Sequence, residues 1–174
     1  MMSHEAGFLV PATDTGGQGK RAVTMASDVP AMISLEFDGY WREPKIASIP
    51  KHAGVYCVYV CIYNKDDTPK PTVDIKGLLY IGEAGDVNGR IAGHELWPDW
   101  KGRLTSGQEI CISTAPVSPV ATRRRAEAAL IFNNKPPVNV EYAHSFPFDT
   151  TTVKVSGKTA ELTSAFTVKK NATD

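Results

Sequence analysis

A nearly continuous apolar run at residues 55–62 places the strongest constraint on how this chain folds. The run is rich in valine, tyrosine and isoleucine, and a run without polar alternation predicts a strand buried on both faces. A charged, proline-containing stretch at 64–71 follows and predicts a loop. The next apolar segment, at 77–82, predicts a second strand, paired antiparallel with the first.

Two helices are predicted after this strand pair. Residues 86–97 predict a helix that begins at Asp86 or Asn88 and is stopped by Pro98. Residues 121–133 are rich in alanine and predict the best helix of the chain, which ends before a Lys-Pro-Pro sequence. Both helices would pack on the sheet that the apolar strands form.

Further strands are predicted on either side of these helices. Residues 33–37 and 109–114 each predict one strand, and residues 151–168 predict a hairpin. Together the elements predict a mixed α/β (α+β) fold. Its centre would be a small, mainly antiparallel three-stranded sheet, flanked by helices and extended by strands from the termini.

Length and composition predict one domain. The chain has 174 residues, of which 42% are hydrophobic, enough for a single core. The domain is predicted at 31–174, with its core at 52–142, whereas the Gly-, Thr-, Asp- and Ser-rich residues 1–30 predict a flexible N-terminal segment. Apolar runs stay below the roughly 18–20 residues of a membrane span, and no signal-peptide pattern is found, so we expect a cytoplasmic protein without membrane contact.

The charge balance limits how this chain could bind nucleic acid. Nineteen basic side chains face 19 acidic ones, so the net charge is zero. A strongly basic domain that binds nucleic acid through its overall charge is therefore excluded. Any nucleic-acid site must be a local basic patch.

Two groups of charged side chains lie on the predicted helices. Glu127 either pairs with Arg123, one turn earlier on a solvated face, or turns inward beside small alanines and binds Mg²⁺, which prefers oxygen ligands. Arg90 and His94 are spaced by four and would share one face of the other helix. They are either ordinary exposed residues, or an arginine that orients a phosphate and a histidine that polarises or positions the partner of a nucleophile.

Three further side chains complete the candidates. Tyr56 and Tyr80 lie on the two predicted apolar strands, and Asn139 follows a Pro-Pro sequence. The tyrosines are either core residues or groups that accept a proton from water when nearby positive charge lowers their pKa. Asn139 alone is typical of a turn. Each residue is a weak indicator by itself, and their order along the chain is more informative.

That order resembles the GIY-YIG nucleases. Gly54-Val55-Tyr56 and Tyr80-Ile81-Gly82 resemble the two tyrosine strings of the family, and Arg90, Glu127 and Asn139 follow in the family's order. The resemblance covers residues 52–142. Valine replaces isoleucine in the first string, which changes the side chain little.

Two details refine the resemblance. His94, one turn after Arg90, is similar to the restriction-endonuclease-like branch of the family. The loop between the two tyrosine strings is longer than in compact members, and it carries Lys65, Lys70 and Lys76. This extra length either touches DNA or is simply tolerated.

The resemblance implies a metal-dependent endonuclease that hydrolyses phosphodiester bonds in DNA, with RNA not excluded, as a monomer or homodimer. One Mg²⁺ or Mn²⁺ would bind Glu127 and waters. Tyr56 would act as general base, assisted by His94, while Tyr80 and Arg90 hold the phosphate.

The remaining roles implied by the resemblance are supportive. Asn139 would order the site, Gly82 would let the backbone approach the substrate closely, and Lys76 and Arg123 would contact the substrate. The alternative is a catalytically inactive nucleic-acid-binding module of the same fold. A third possibility is a small metabolic or structural protein whose residues match the family by chance.

Overall fold

The computed structural model describes residues 31–171, so the flexible segment predicted at 1–30 lies outside the described residues. Within this range the chain forms six strands, three α-helices and one 3-10 helix. The strands are β1 (Ala31–Arg42), β2 (Gly54–Asn64), β3 (Thr72–Ala84), β4 (Gln108–Pro116), β5 (Thr151–Gly157) and β6 (Ala165–Val168). The helices are a 3-10 helix (Glu43–Ser48), α1 (Val87–Ala92), α2 (Trp97–Lys101) and α3 (Val120–Asn134).

All six strands belong to one sheet in the order β3-β2-β4-β1-β5-β6. The predicted small three-stranded sheet is therefore wrong, because β3, β2 and β4 make up only one half. The long strand β1 joins the halves: residues 31–37 pair in parallel with β5, and residues 38–42 pair antiparallel with β4. The C-terminal hairpin of β5 and β6 consequently extends the same sheet.

Strand β2 has both faces buried, as its apolar run requires. Val55, Cys57 and Tyr59 pack in the cluster that includes α3. Tyr56 and Val58 point to the opposite face, where α1 and α2 pack. Successive side chains of a strand point to opposite faces, so one continuous apolar run serves two cores.

The helical cover is smaller than predicted. In residues 31–171, only α3 exceeds six residues, with 15, whereas α1 and α2 have six and five. The single helix predicted at 86–97 is instead two, because α1 ends at Ala92, is capped by Gly93, and a new helix begins at Trp97. Pro98 lies in the first turn of α2, where its missing N–H costs no hydrogen bond, so it helps to start a helix.

The helices of the described residues are all too short or too polar to cross a membrane.

Candidate functional site

A polar pocket of about 360 Å³ lies beside the edge strand β3. It lies where α1 and α3 approach the same end of the β2–β3 pair. Four of the six predicted catalytic residues line it, and each comes from a different element. The lining residues are Tyr56, Tyr80, Glu83, Arg90, Arg124, Glu127, Glu141 and Tyr142.

The two tyrosines depend on the absence of a side chain at Gly82. Tyr56 on β2 lies directly opposite Gly82 on β3 in the antiparallel register. A Cβ atom at Gly82 would overlap the ring and hydroxyl of Tyr56 and would lie 2.9 Å from the Tyr80 ring. The tyrosine ring centroids are 6.2 Å apart. Gly82, predicted to approach the substrate, therefore makes room for both tyrosines.

Both tyrosines hold their protons in this site. Tyr56 is almost fully buried, and burial raises its pKa above the ordinary value, with smaller contributions from Tyr80 and Glu127. Burial likewise raises the pKa of the half-buried Tyr80, and the negative charge of Glu127 adds to the effect. The positive charge of Arg90 acts in the opposite direction on both pKa values.

His94 lies between the helices rather than on one. It follows the C-terminal end of α1, and its ring contacts those of Tyr56, Tyr80 and Trp100, with centroids 6.1, 5.4 and 4.5 Å away. Its Nδ1 accepts a hydrogen bond of 3.1 Å from the backbone N–H of Leu96, so its proton is on Nε2.

The charge state of His94 follows from this position. Burial and the nearby Arg90 lower its pKa to about 4. The ring is therefore neutral at physiological pH and adds no positive charge to the pocket. In this arrangement His94 positions the tyrosine rings, because its acceptor nitrogen is already occupied.

Arg90 on α1 reaches the pocket but is already paired. Its guanidinium donates two hydrogen bonds to Glu95, with Nη1 2.7 Å from Oε2 and Nη2 2.8 Å from Oε1. This hydrogen bond raises the pKa of Arg90 and lowers that of Glu95 to about 2. Both groups are ionised across the physiological range.

Glu127 on α3 supplies the carboxylate of the pocket. Its partial burial, and then the negative charges of Glu83 and Glu141, raise its pKa to about 8. A bound proton or a bound cation would relieve this repulsion. Arg123, the pairing partner that the helix spacing suggested, instead forms an ion pair with Glu83.

Asn139 lies outside the pocket lining and fixes the chain that follows α3. Its side-chain Oδ1 accepts a hydrogen bond from the N–H of Ile81, and its Nδ2 donates to the carbonyl of Ile81, both at 2.9 Å. Nearby, the N–H of Val138 donates to the carbonyl of Leu79 at 3.1 Å. These contacts provide hydrogen-bond partners for backbone groups on the free edge of β3 on either side of Tyr80.

The two predicted substrate contacts outside the family motifs do not line the pocket. Lys76 pairs with Asp74 on β3 and lies six residues before Gly82, about 20 Å along the strand. Arg123 is held by Glu83, and its side chain is only 11% exposed. Its charge is therefore committed to a contact between α3 and β3.

Sequence reasoning missed Glu83, Arg124, Glu141 and Tyr142. Strand alternation could have found Glu83, because it lies on the face of β3 opposite Gly82 and toward α3. Helix spacing could have found Arg124, three residues before Glu127. Nothing in the pattern indicated Glu141 or Tyr142, which follow Asn139 in an irregular segment where Tyr142 has φ of 60°.

The pocket fits one hard cation better than a closed metal site. Residues 31–171 hold no cluster of three or more His, Cys, Asp or Glu side chains arranged to bind a metal. Mg²⁺ usually keeps several waters and needs only one or two carboxylates, and a polar pocket of about 360 Å³ beside Glu127 has room for a hydrated ion. Its raised pKa is the property that a bound cation would reverse.

Comparisons with protein-family models, with curated proteins and with solved structures find no match for this chain.

Proposed function

We propose that this protein is a metal-dependent endonuclease that hydrolyses phosphodiester bonds in DNA. The observation that carries the proposal is the convergence of Tyr56, Tyr80, Arg90 and Glu127 in one polar pocket. These residues come from two strands and two helices. The order of the same residues along the chain resembles that of the GIY-YIG nucleases. In the folded chain these residues lie close together in the pocket.

Arg90 and Tyr80 are suited to bind the scissile phosphate. A guanidinium offers two parallel donors to a phosphate, as Arg90 does to Glu95, and its positive charge offsets the charge that grows during hydrolysis. Tyr80 is protonated and can donate its hydroxyl proton to a second phosphate oxygen. Both groups act without changing their own charge.

Tyr56 is suited to the attacking water. Its hydroxyl oxygen lies over Gly82 and can accept a hydrogen bond from a water in the pocket. Acting as the general base requires a lower pKa than burial gives it, and positive charge beside it shifts the pKa in that direction. The neutral ring of His94 keeps Tyr56 in place.

Glu127 is the residue that would hold Mg²⁺ or Mn²⁺. When bound, the ion would polarise the phosphate and stabilise the leaving oxygen. Glu83 and Glu141 add negative charge nearby and strengthen the attraction for a cation. Arg123 and Arg124 keep Glu83 on its own side of the pocket.

The first test is plasmid cleavage by the purified full chain with Mg²⁺, Mn²⁺ or EDTA. Glu127→Gln should lose cleavage yet still bind DNA, because it keeps its size and loses its charge. Glu36→Gln, on the exposed side of β1, is the matched control and should cut like the wild type. A labelled RNA of the same sequence serves as a second substrate.

The outcomes separate the functions. Metal-dependent nicking that only Glu127→Gln lacks supports the nuclease. Normal cleavage by Glu127→Gln contradicts the metal role. DNA binding without cleavage by the wild type on plasmid, branched DNA and RNA would favour an inactive binding module instead.

A further inference from the structure

We propose that Glu95 is a built-in competitor for the phosphate site of Arg90, which lowers the affinity of that site for phosphate groups. The inference rests on the proposed function of the pocket. Glu95 forms two parallel hydrogen bonds with Arg90, 2.7 and 2.8 Å long. Carboxylate and phosphate present the same pair of oxygens to a guanidinium, so one excludes the other.

The position of Glu95 makes it displaceable. It lies in the turn between α1 and α2, and its side chain is 64% exposed. It can therefore turn into solvent without opening either core. An exposed ion pair of this kind contributes little to stability, so a phosphate group that binds Arg90 can replace it.

The contact between Arg123 and Glu83 differs. These side chains are 11% and 18% exposed and join α3 to β3. Neither can leave without exposing packed structure, so this pair holds the pocket together. Arg124 also lines the pocket, but its Nε is 3.7 Å from Oε1 of Glu83, so of the two lining arginines Arg90 is the one whose paired donors are covered by an exposed carboxylate.

Competition from within the chain affects every ligand that needs Arg90. A tethered carboxylate acts at an effective concentration in the millimolar range. A free phosphate ion and a nucleic-acid strand must each displace it before they bind Arg90, so the affinity of both falls by the same factor.

The experiment compares Glu95→Gln with Glu43→Gln in the full chain. Glu43 forms a pair with Lys101 on the surface, with hydrogen bonds of 2.7 and 2.8 Å, so both variants remove one negative charge from a surface ion pair. Inorganic phosphate binding is measured by NMR titration. Binding of a labelled DNA duplex is measured by anisotropy in EDTA.

We expect Glu95→Gln to tighten the binding of phosphate and of the duplex by a similar factor, about twofold to fivefold over Glu43→Gln. This gain in affinity should vanish when Arg90→Gln is added, because Glu95 then has no guanidinium to compete for. Equal behaviour of the two single variants, or a gain that persists without Arg90, overturns the proposal.

Failure of this inference can be told apart from failure of the nuclease proposal. Wild-type cleavage together with equal phosphate binding by both variants removes only the role of Glu95. Absence of cleavage with tighter phosphate binding by Glu95→Gln removes the nuclease and keeps the competitor at an anion site.

Discussion

The pocket has two walls that are built in different ways. The tyrosine wall, formed by Tyr56 and Tyr80, is held by packing, with aromatic rings on one side and Gly82 on the other. The carboxylate wall, formed by Glu83, Glu127 and Glu141, brings like charges together from a strand, a helix and an irregular segment. The first wall is defined by shape and the second by charge.

This difference determines what each wall responds to. Burial dominates the pKa values on the tyrosine wall, so protons stay on the hydroxyls. On the carboxylate wall, mutual repulsion adds to burial, so Glu127 gains from any proton or cation that arrives. Steric changes should therefore disrupt the tyrosine wall, whereas pH and metal should act mainly on the carboxylate wall.

The largest effect is expected from removing the hydroxyl of Tyr56 on the tyrosine wall. Tyr56→Phe keeps the ring packing and should lower the cleavage rate by about 10²–10⁴-fold, the usual contribution of a general base. Tyr59→Phe is the control, since Tyr59 lies on the same strand and its buried hydroxyl makes no hydrogen bond in the described structure. Rates are measured on supercoiled plasmid.

The Tyr56 result also decides between the tyrosines. If Tyr56→Phe cuts at the wild-type rate while Tyr80→Phe does not, Tyr80 is the general base. Tyr80 is only half-buried and lines the same pocket, so the geometry permits that exchange of roles.

A smaller effect is expected from adding one methyl group to β3. Gly82→Ala should push Tyr56 and Tyr80 out of position and lower cleavage by about 10²-fold, as misplacement by about 1 Å can do. Gly77→Ala on the same strand meets no atom within 4 Å and should leave cleavage unchanged. Equal activity of both variants would contradict the steric account of the tyrosine wall.

The smallest expected effect concerns stability and tests the carboxylate wall by charge alone. The folded pKa of Glu127, about 8, exceeds the unfolded value of about 4.3. The folded protein therefore binds more protons between these values, and its stability falls as the pH rises through that window. Glu127→Gln removes this loss, so its Tm at pH 8.5 should exceed the wild-type value by at least the roughly 2–4 °C that 1 kcal/mol produces in a domain of this size, and by less at pH 5.

Thermal unfolding across pH 5–8.5, with and without Mg²⁺, provides the measurement. Mg²⁺ should raise the Tm of the wild type at high pH and leave that of Glu127→Gln unchanged, because ligands that bind only the folded state stabilise it. Glu36→Gln serves again as the control. A Tm difference that is the same at every pH would show that folding does not raise the pKa of Glu127.

Local patterns explain the parts of the structure that the sequence predicted well. The apolar run at 55–62 and the segment at 77–82 lie within β2 and β3, because strand alternation and β-branched composition are local properties. The alanine-rich residues 121–133 lie within α3 for the same reason. The prediction that Pro98 stops a helix was wrong, because a proline can also occupy the first turn of a helix and the local sequence is compatible with both positions.

The wider sheet escaped prediction because strand pairing depends on distant segments. Nothing within residues 33–37 indicates that they pair in parallel with the C-terminal strand β5. Likewise, the role of Asn139 depends on Ile81, far away along the chain. Sequence periodicity describes neighbours on one element, whereas these contacts join separate elements.

The sequence by itself determined the strands of the tyrosine strings, the helix that carries Glu127 and which side chains are chemically able to act. Only the tertiary structure decided that Glu83 and Glu141 stand beside Glu127, that Glu95 covers Arg90 and that His94 is neutral. The physical reason is that charge and burial act through space. A pKa or an ion pair is set by groups that folding brings together, and local sequence patterns do not record which groups those are.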